Sequence, residues 1–156
     1  MKIIEDIVIK DFKDFSCGTG RKKEYMGDLI VAKARCLKGC SLSFTDLVPK
    51  LCMSPDPEYG TIKVMFKKPY YGEYKISIGD MENFNTLIIV GLGKEKSVIN
   101  KVFAIPEKEL RGKKFITITS TTIAYQKFEI DKKPYVQTYE DIKAGKCQIL
   151  EDGSIV

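Results

Sequence analysis

The chain has 156 residues, 44% hydrophobic and 30% charged, enough for one globular domain with a core and too few for two comfortable ones. Its formal charge of +5 suits a polyanionic partner without requiring one, because solubilising surface lysines give the same balance. Histidine is absent, which excludes Ser-His-Asp and Cys-His nucleophile pairs, His-ligated zinc hydrolases and histidine-based nucleases; proton transfer is left to Asp, Glu, Lys, Tyr, Cys or metal-bound water.

In chain order, residues 1–15 alternate Ile3, Ile4, Ile7, Val8 and Ile9 with acids and lysines, a pattern that fits a strand or a short helix equally. The opening residues carry acids where a secretory signal is apolar. No apolar run nears the roughly 18 residues that span a bilayer, so a cytoplasmic protein without a membrane segment is expected. Cys17-Gly18-Thr19-Gly20 breaks the chain before a helix over 21–37, where Met26, Leu29, Ile30, Ala34 and Leu37 recur at helical spacing and Gly39 is placed to end it. Glu24 and Asp28 sit one turn apart on a neighbouring face, which by itself describes a solvated pair. A short strand over 41–48 ends near Asp46, where a carboxylate also commonly caps the local backbone, and a loop then runs through Pro49, Pro55 and Pro57 to Gly60.

Strands over 61–66 and 74–78 read as a hairpin joined at Pro69-Tyr70-Tyr71-Gly72, with the two tyrosines as turn packing ahead of a base-stacking platform. The run over 86–92 is almost continuously apolar, the mark of a buried central strand. Gly91-Leu92-Gly93-Lys94 lacks the spacing of a phosphate-binding loop or dinucleotide fingerprint and reads as a hairpin turn, so no nucleotide cofactor is expected. A strand over 99–105 leads to a helical turn opened by Pro106, then to strands over 115–119 and 128–130, a short helix over 139–144 and a loose tail. The sum is an α/β fold, with α+β as its variant: one domain over 1–156, a core of about 20–130 and a tail of about 146–156.

The five cysteines are odd in number and scattered, which fits reduced thiols better than a disulfide framework. Cys36, Cys40 and Cys52 are open to a zinc site with Cys17 as a fourth ligand, but paired C-x-x-C knuckles are missing and small buried residues are the simpler reading. Lysine and arginine cluster at Arg21-Lys22-Lys23, Lys67-Lys68, Arg111-Gly112-Lys113-Lys114 and Lys132-Lys133, mostly at turns and element ends.

A helix carrying Glu24, an acid at a strand end (Ser43-Phe44-Thr45-Asp46-Leu47), and Asp56-Pro57-Glu58-Tyr59-Gly60-Thr61-Ile62-Lys63-Val64 leading to a hairpin together resemble the PD-(D/E)xK restriction-endonuclease-like superfamily. The resemblance covers about residues 20–130 and includes Asn83-Phe84-Asn85-Thr86-Leu87 and Val102-Phe103-Ala104-Ile105-Pro106, as in small intron-encoded, archaeal or phage members. It implies a mixed sheet with an N-terminal helix. It also implies a metal-dependent DNA endonuclease in which Asp46 binds Mg²⁺ or Mn²⁺, an acid on the next strand completes the site, and a lysine two residues on orients the attacking water. Glu24 would assist from the helix.

This chain departs from the pattern at the strand itself, where Lys63 and Met65 stand at the acid and lysine positions. A lysine cannot ligate Mg²⁺ and a methionine cannot activate water. Lys67, on the same strand face, would be a displaced catalytic lysine. A shifted reading takes Asp56 or Glu58 as metal ligand with Lys63 as the lysine. The DNA contacts implied are Arg21, Lys22, Lys23, Lys67, Lys68, Lys113 and Lys114, and a homodimer would make paired cuts. The alternative is a catalytically inactive nuclease-fold protein, of viral or mobile-element origin, that binds DNA or a protein partner.

Overall fold

The computed structural model describes residues 2–7, 20–45, 48–79, 83–94, 98–119 and 121–156, leaving aside the side chains of 4–7, 20–24 and 40–50. The chain forms two compact units, Met1–Pro55 with Lys133–Val156, and Asp56–Lys132. Its class is α/β: helices and strands mix along the chain, one helix lies near the N-terminus, and the largest sheet has both parallel and antiparallel pairs. Among the described residues no helix is long and apolar enough to cross a membrane.

In the first unit, β1 (Ile3–Ile7) pairs antiparallel with β10 (Cys147–Leu150), and β2 (Gly39–Thr45) with β3 (Val48–Met53). Helix α1 (Gly20–Ala34) buries Met26, Leu29 and Ile30, the stripe expected from their spacing, together with Tyr25, Val31 and Ala32. It ends earlier than Gly39. Cys36 takes the left-handed conformation (φ 57), its N–H donates to the Lys33 carbonyl, and the Leu37 N–H reaches back to Ala32 at 2.7 Å. These paired bonds satisfy the last carbonyls, and Leu37 is buried over the turn.

Three other expectations are corrected in this unit. β3 occupies the stretch read as a loop, because Pro49 lies opposite Phe44 in a two-stranded sheet where an absent N–H need not break a ladder. The last helix, α2 (Lys133–Lys143), starts six residues before the expected 139: Pro134 sits in its first turn, and Tyr135, Thr138, Tyr139 and Ile142 form the buried stripe. The tail read as loose contains β10, with Cys147 and Ile149 buried, and a turn whose Gly153 carbonyl accepts the Gly39 N–H at 2.8 Å. At φ 85, and with Gly39 backbone where a Cβ would stand, position 153 takes only glycine without strain.

Between α1 and α2, Lys33 Nζ lies 3.2 Å from Asp141 Oδ2 and donates to Cys147 Sγ at 3.5 Å. Asp141 is held below the usual carboxylate range, by the Gln137 amide first and then by Lys33. Burial pushes the Cys147 thiol up, with Lys33 opposing, so the thiol stays protonated.

The second unit is two layers of strands. β4 (Ile62–Lys67), β6 (Thr86–Leu92), β7 (Ile99–Pro106) and β9 (Glu129–Ile130) form a sheet in the order β4-β6-β7-β9, with β4 parallel to β6 and the other pairs antiparallel. β5 (Tyr74–Ser77) and β8 (Phe115–Ile118) pair with each other as the second layer. β6 is buried at every position, as its apolar run implies. Between the layers lies one core: Tyr74, Ile76 and Ile78 meet Leu87 and Ile89 from β6, Phe103 and Ile105 from β7, and Ile116 and Ile118 from β8.

The expected hairpin between β4 and β5 is therefore replaced by a crossing between layers. Two adjacent parallel strands need a crossover connection, and β5 provides it from the other layer. The connecting turn keeps hairpin chemistry. Tyr70 and Glu73 exchange backbone hydrogen bonds at 2.8 and 3.1 Å, and Tyr71 (φ 50) and Gly72 (φ 75) both take positive φ, as in the type I′ turn. Pro106 caps the short 3-10 turn Glu107–Glu109, close to the position read from the sequence.

Candidate functional site

The turn before β4 and the groove after it lie at opposite ends of that strand. At the first end, Asp56 is buried at 3% exposure, and its Oδ1 accepts the N–H groups of Glu58 (2.8 Å) and Tyr59 (3.1 Å). Asp56 and Gly60 also exchange backbone bonds, while the Thr86 hydroxyl donates to the Tyr59 carbonyl at 3.0 Å. The carboxylate builds a turn and ties it to the start of β6. Glu58 is exposed on that turn.

Lys63, Met65 and Lys67 share one face of β4, as strand alternation requires, between the buried Val64 and Phe66. Met65 packs against the core between the layers, opposite Ile89 in the register. Lys63 and Lys67 are about 13 Å apart along the strand at the ordinary rise, so one reacting atom does not readily meet both ends. Asp46 lies outside the described residues. Glu24, Arg21, Lys22 and Lys23 belong to the first turns of α1, and their side chains lie outside the description. Among the described residues no group of three or more Asp, Glu, Cys or His converges to hold a metal ion. Asp56 gives its Oδ1 to two backbone amides, and Glu58 lies exposed on the same turn. Cys36 and Cys52 are exposed rather than the small buried residues expected, Cys17 lies outside the described residues, and so does the Cys40 side chain.

At the far end of β4 the strand leads through Lys67 and Lys68 to a groove of about 630 Å³. Pro69, Tyr71 and Gly72 of the turn form one lip; Tyr74, Leu92 and Ile118 give apolar walls; Gly93, Lys94, Asn100, Lys101 and Thr119 complete it. The volume falls within the roughly 300–1,000 Å³ usual for small-ligand sites.

Tyr74 organises the floor. Its ring lies over Gly91, the residue opposite Lys67 in the register, and its hydroxyl donates to the Leu92 carbonyl. Burial raises its pKa, against a hydrogen bond with the Asn100 side chain, so the hydroxyl remains a donor.

The lip at Tyr71 is aromatic, and Lys75 lies beside it on the face of β5 opposite the buried Tyr74. Tyr70 and Tyr71 are 60% and 89% exposed, with ring centroids 4.6 Å apart and planes at 75°. Lys75 Nζ stands 5.2 Å over the Tyr70 ring. Lys94 is exposed, whereas Lys101 lies 3.7 Å from Glu129. On the opposite wall the Thr119 hydroxyl lies 3.0 Å from that of Thr121 and 2.8 Å from that of Thr122, a local set of donors.

Of the lysines expected at DNA, Lys67 and Lys68 lead into this groove. Lys114 is exposed, and Lys113 is bound to Tyr125, donating to its hydroxyl at 3.0 Å. Sequence reasoning missed Lys75, Lys94, Lys101 and Asn100, which come from two strands and a loop and take their places only on folding. The signal present in the sequence is Tyr70-Tyr71 flanked by Lys67-Lys68 and Lys75, which the reading of the two tyrosines as turn packing passes over. Comparison with known proteins finds no matching family model, no matching curated protein and no matching solved structure.

Proposed function

We propose that this protein binds DNA through the groove of the Asp56–Lys132 unit and does not cut it, the inactive nuclease-like alternative. The observation that carries the reading is an apolar-walled groove lined by exposed Tyr71 together with Lys94 and Lys101, with Tyr70 and Lys75 beside Tyr71 and with Lys67 and Lys68 preceding Pro69 in the chain. Lysines that neutralise phosphates release counterions and set affinity, while exposed rings offer faces to bases. Against hydrolysis by the residues described, Oδ1 of Asp56 is engaged by two amides of its own turn and Met65, partly buried, packs against the core at the position of the catalytic lysine. Metal-dependent cleavage through Asp46 is the competing proposal.

The test is supercoiled plasmid with the protein in Mg²⁺ and in Mn²⁺, beside a mobility shift. A shift without nicking is expected. With three or four phosphate contacts, affinity should fall roughly 40- to 150-fold between about 50 and 200 mM salt. Nicking that disappears in Asp46→Ala would replace this reading with the endonuclease, and the loss of any shift would remove DNA as the partner.

A further inference from the structure

We infer that the ligand of the groove is an unpaired strand, whose bases stack on Tyr71 while its phosphates meet Lys94 and Lys101 of the lining. This rests on the reading of the groove as a nucleic-acid interface and adds the form of nucleic acid that it takes.

The Tyr70-Tyr71-Gly72-Glu73 turn presents its second tyrosine outward. Both central residues hold positive φ, and the turn is closed by two backbone hydrogen bonds, so the Tyr71 ring stands on a fixed support at 89% exposure. Tyr70 meets it at 75° and carries Lys75 on its own face, which leaves Tyr71 as the ring that lines the groove. Beyond its edge contact with Tyr70, a ring held almost wholly in water contributes little burial to the fold. It gains a great deal from a base.

The groove chemistry agrees with a base more than with a phosphate alone. Its walls at Pro69, Tyr74, Leu92 and Ile118 are apolar, Asn100 and Thr119 give hydrogen-bonding edges, and Lys94 supplies charge at the mouth. A duplex keeps its base faces stacked inside and offers only edges and phosphates, so it would leave both the tyrosine face and the apolar walls in contact with water. A single strand can turn its bases out, and stacking of this kind is tolerant of sequence because every base has a π-face.

The experiment is fluorescence anisotropy of the full chain with labelled oligothymidine of about twenty nucleotides and with a duplex of the same length. The single strand should bind at least about tenfold more tightly, and Tyr71→Ala should weaken single-strand binding about tenfold and duplex binding by much less. Tyr71→Phe, which keeps the ring and loses only the hydroxyl, should bind as the native chain does. Equal or tighter duplex binding would overturn the inference, as would a Tyr71→Ala variant that binds the single strand normally or loses both ligands alike. In these cases salt-dependent binding persists and DNA remains the partner, whereas absence of binding to either oligonucleotide removes the groove reading itself.

Discussion

Phe103→Ala is expected to lower the stability of the Asp56–Lys132 unit by about 3 to 5 kcal/mol, the usual cost of removing a buried aromatic ring and leaving its cavity. Phe103 is 1% exposed in the middle of β7, opposite Ile89 on one side and Glu129 on the other. Its ring fills the space between the two layers, in the cluster that also holds Tyr74, Ile76, Ile116 and Ile118. A small domain has about 5 to 15 kcal/mol in all, so this loss leaves little margin. Urea titration followed by circular dichroism would measure it, and Phe103→Leu, which fills more of the cavity, should lose clearly less. A Phe103→Ala midpoint within error of the native one would contradict the layer packing described here.

Gly91→Ala is expected to cost about 1 to 3 kcal/mol, the range for forcing extra volume into a packed site. A Cβ at position 91 would stand 2.6 Å from Cζ of Tyr74 and 2.9 Å from its hydroxyl oxygen. The ring cannot simply swing away, because its hydroxyl is bonded to the Leu92 carbonyl and the residue is buried in the core. The added methyl therefore also disturbs the groove, and DNA binding should weaken along with stability. Replacing Tyr74 by Leu relieves the clash, so Gly91→Ala with Tyr74→Leu should lose less than the two single variants together. Strict additivity would show that Gly91 and Tyr74 do not meet.

Local pattern made some of this legible and topology hid the rest. The helical stripe of Met26, Leu29 and Ile30 and the continuous apolar run of β6 are signals over several residues, and a helix and a buried strand stand there. Short elements gave too few positions to read: β10 has only Cys147 and Ile149 pointing inward, and β3 was masked by Pro49, which a two-stranded sheet tolerates. The helix end at Cys36 was missed because glycine is the common left-handed residue but not an obligatory one. Pairing was harder still. The Tyr71-Gly72 turn has genuine hairpin chemistry, yet β4 joins β6 and β5 joins β8, a choice made by burying both layers rather than by the turn.

The site divides in the same way. Asp56-Pro57 followed by Gly60 is turn chemistry, and a carboxylate that bonds the next two amides follows from it, although the nuclease resemblance pointed toward a metal ligand. The groove could not be read at all from spacing, because its residues span positions 69 to 119 and come together only when the second layer folds over the first.

The central claim, that this groove is where DNA binds, is tested most directly by reversing charge at two places on the same unit. Lys75→Glu with Lys94→Glu changes Lys94 of the groove and Lys75 beside the Tyr70-Tyr71 lip; Lys113→Glu with Lys114→Glu changes the other basic cluster read from the sequence. Both carry the same change in net charge, so anisotropy with one labelled oligonucleotide compares location alone. The groove pair should reduce affinity by more than about tenfold and flatten the dependence on salt, since each lost phosphate contact removes close to one unit of slope. An unchanged affinity for the groove pair, with the loss appearing instead in the Lys113 and Lys114 pair, would contradict the account.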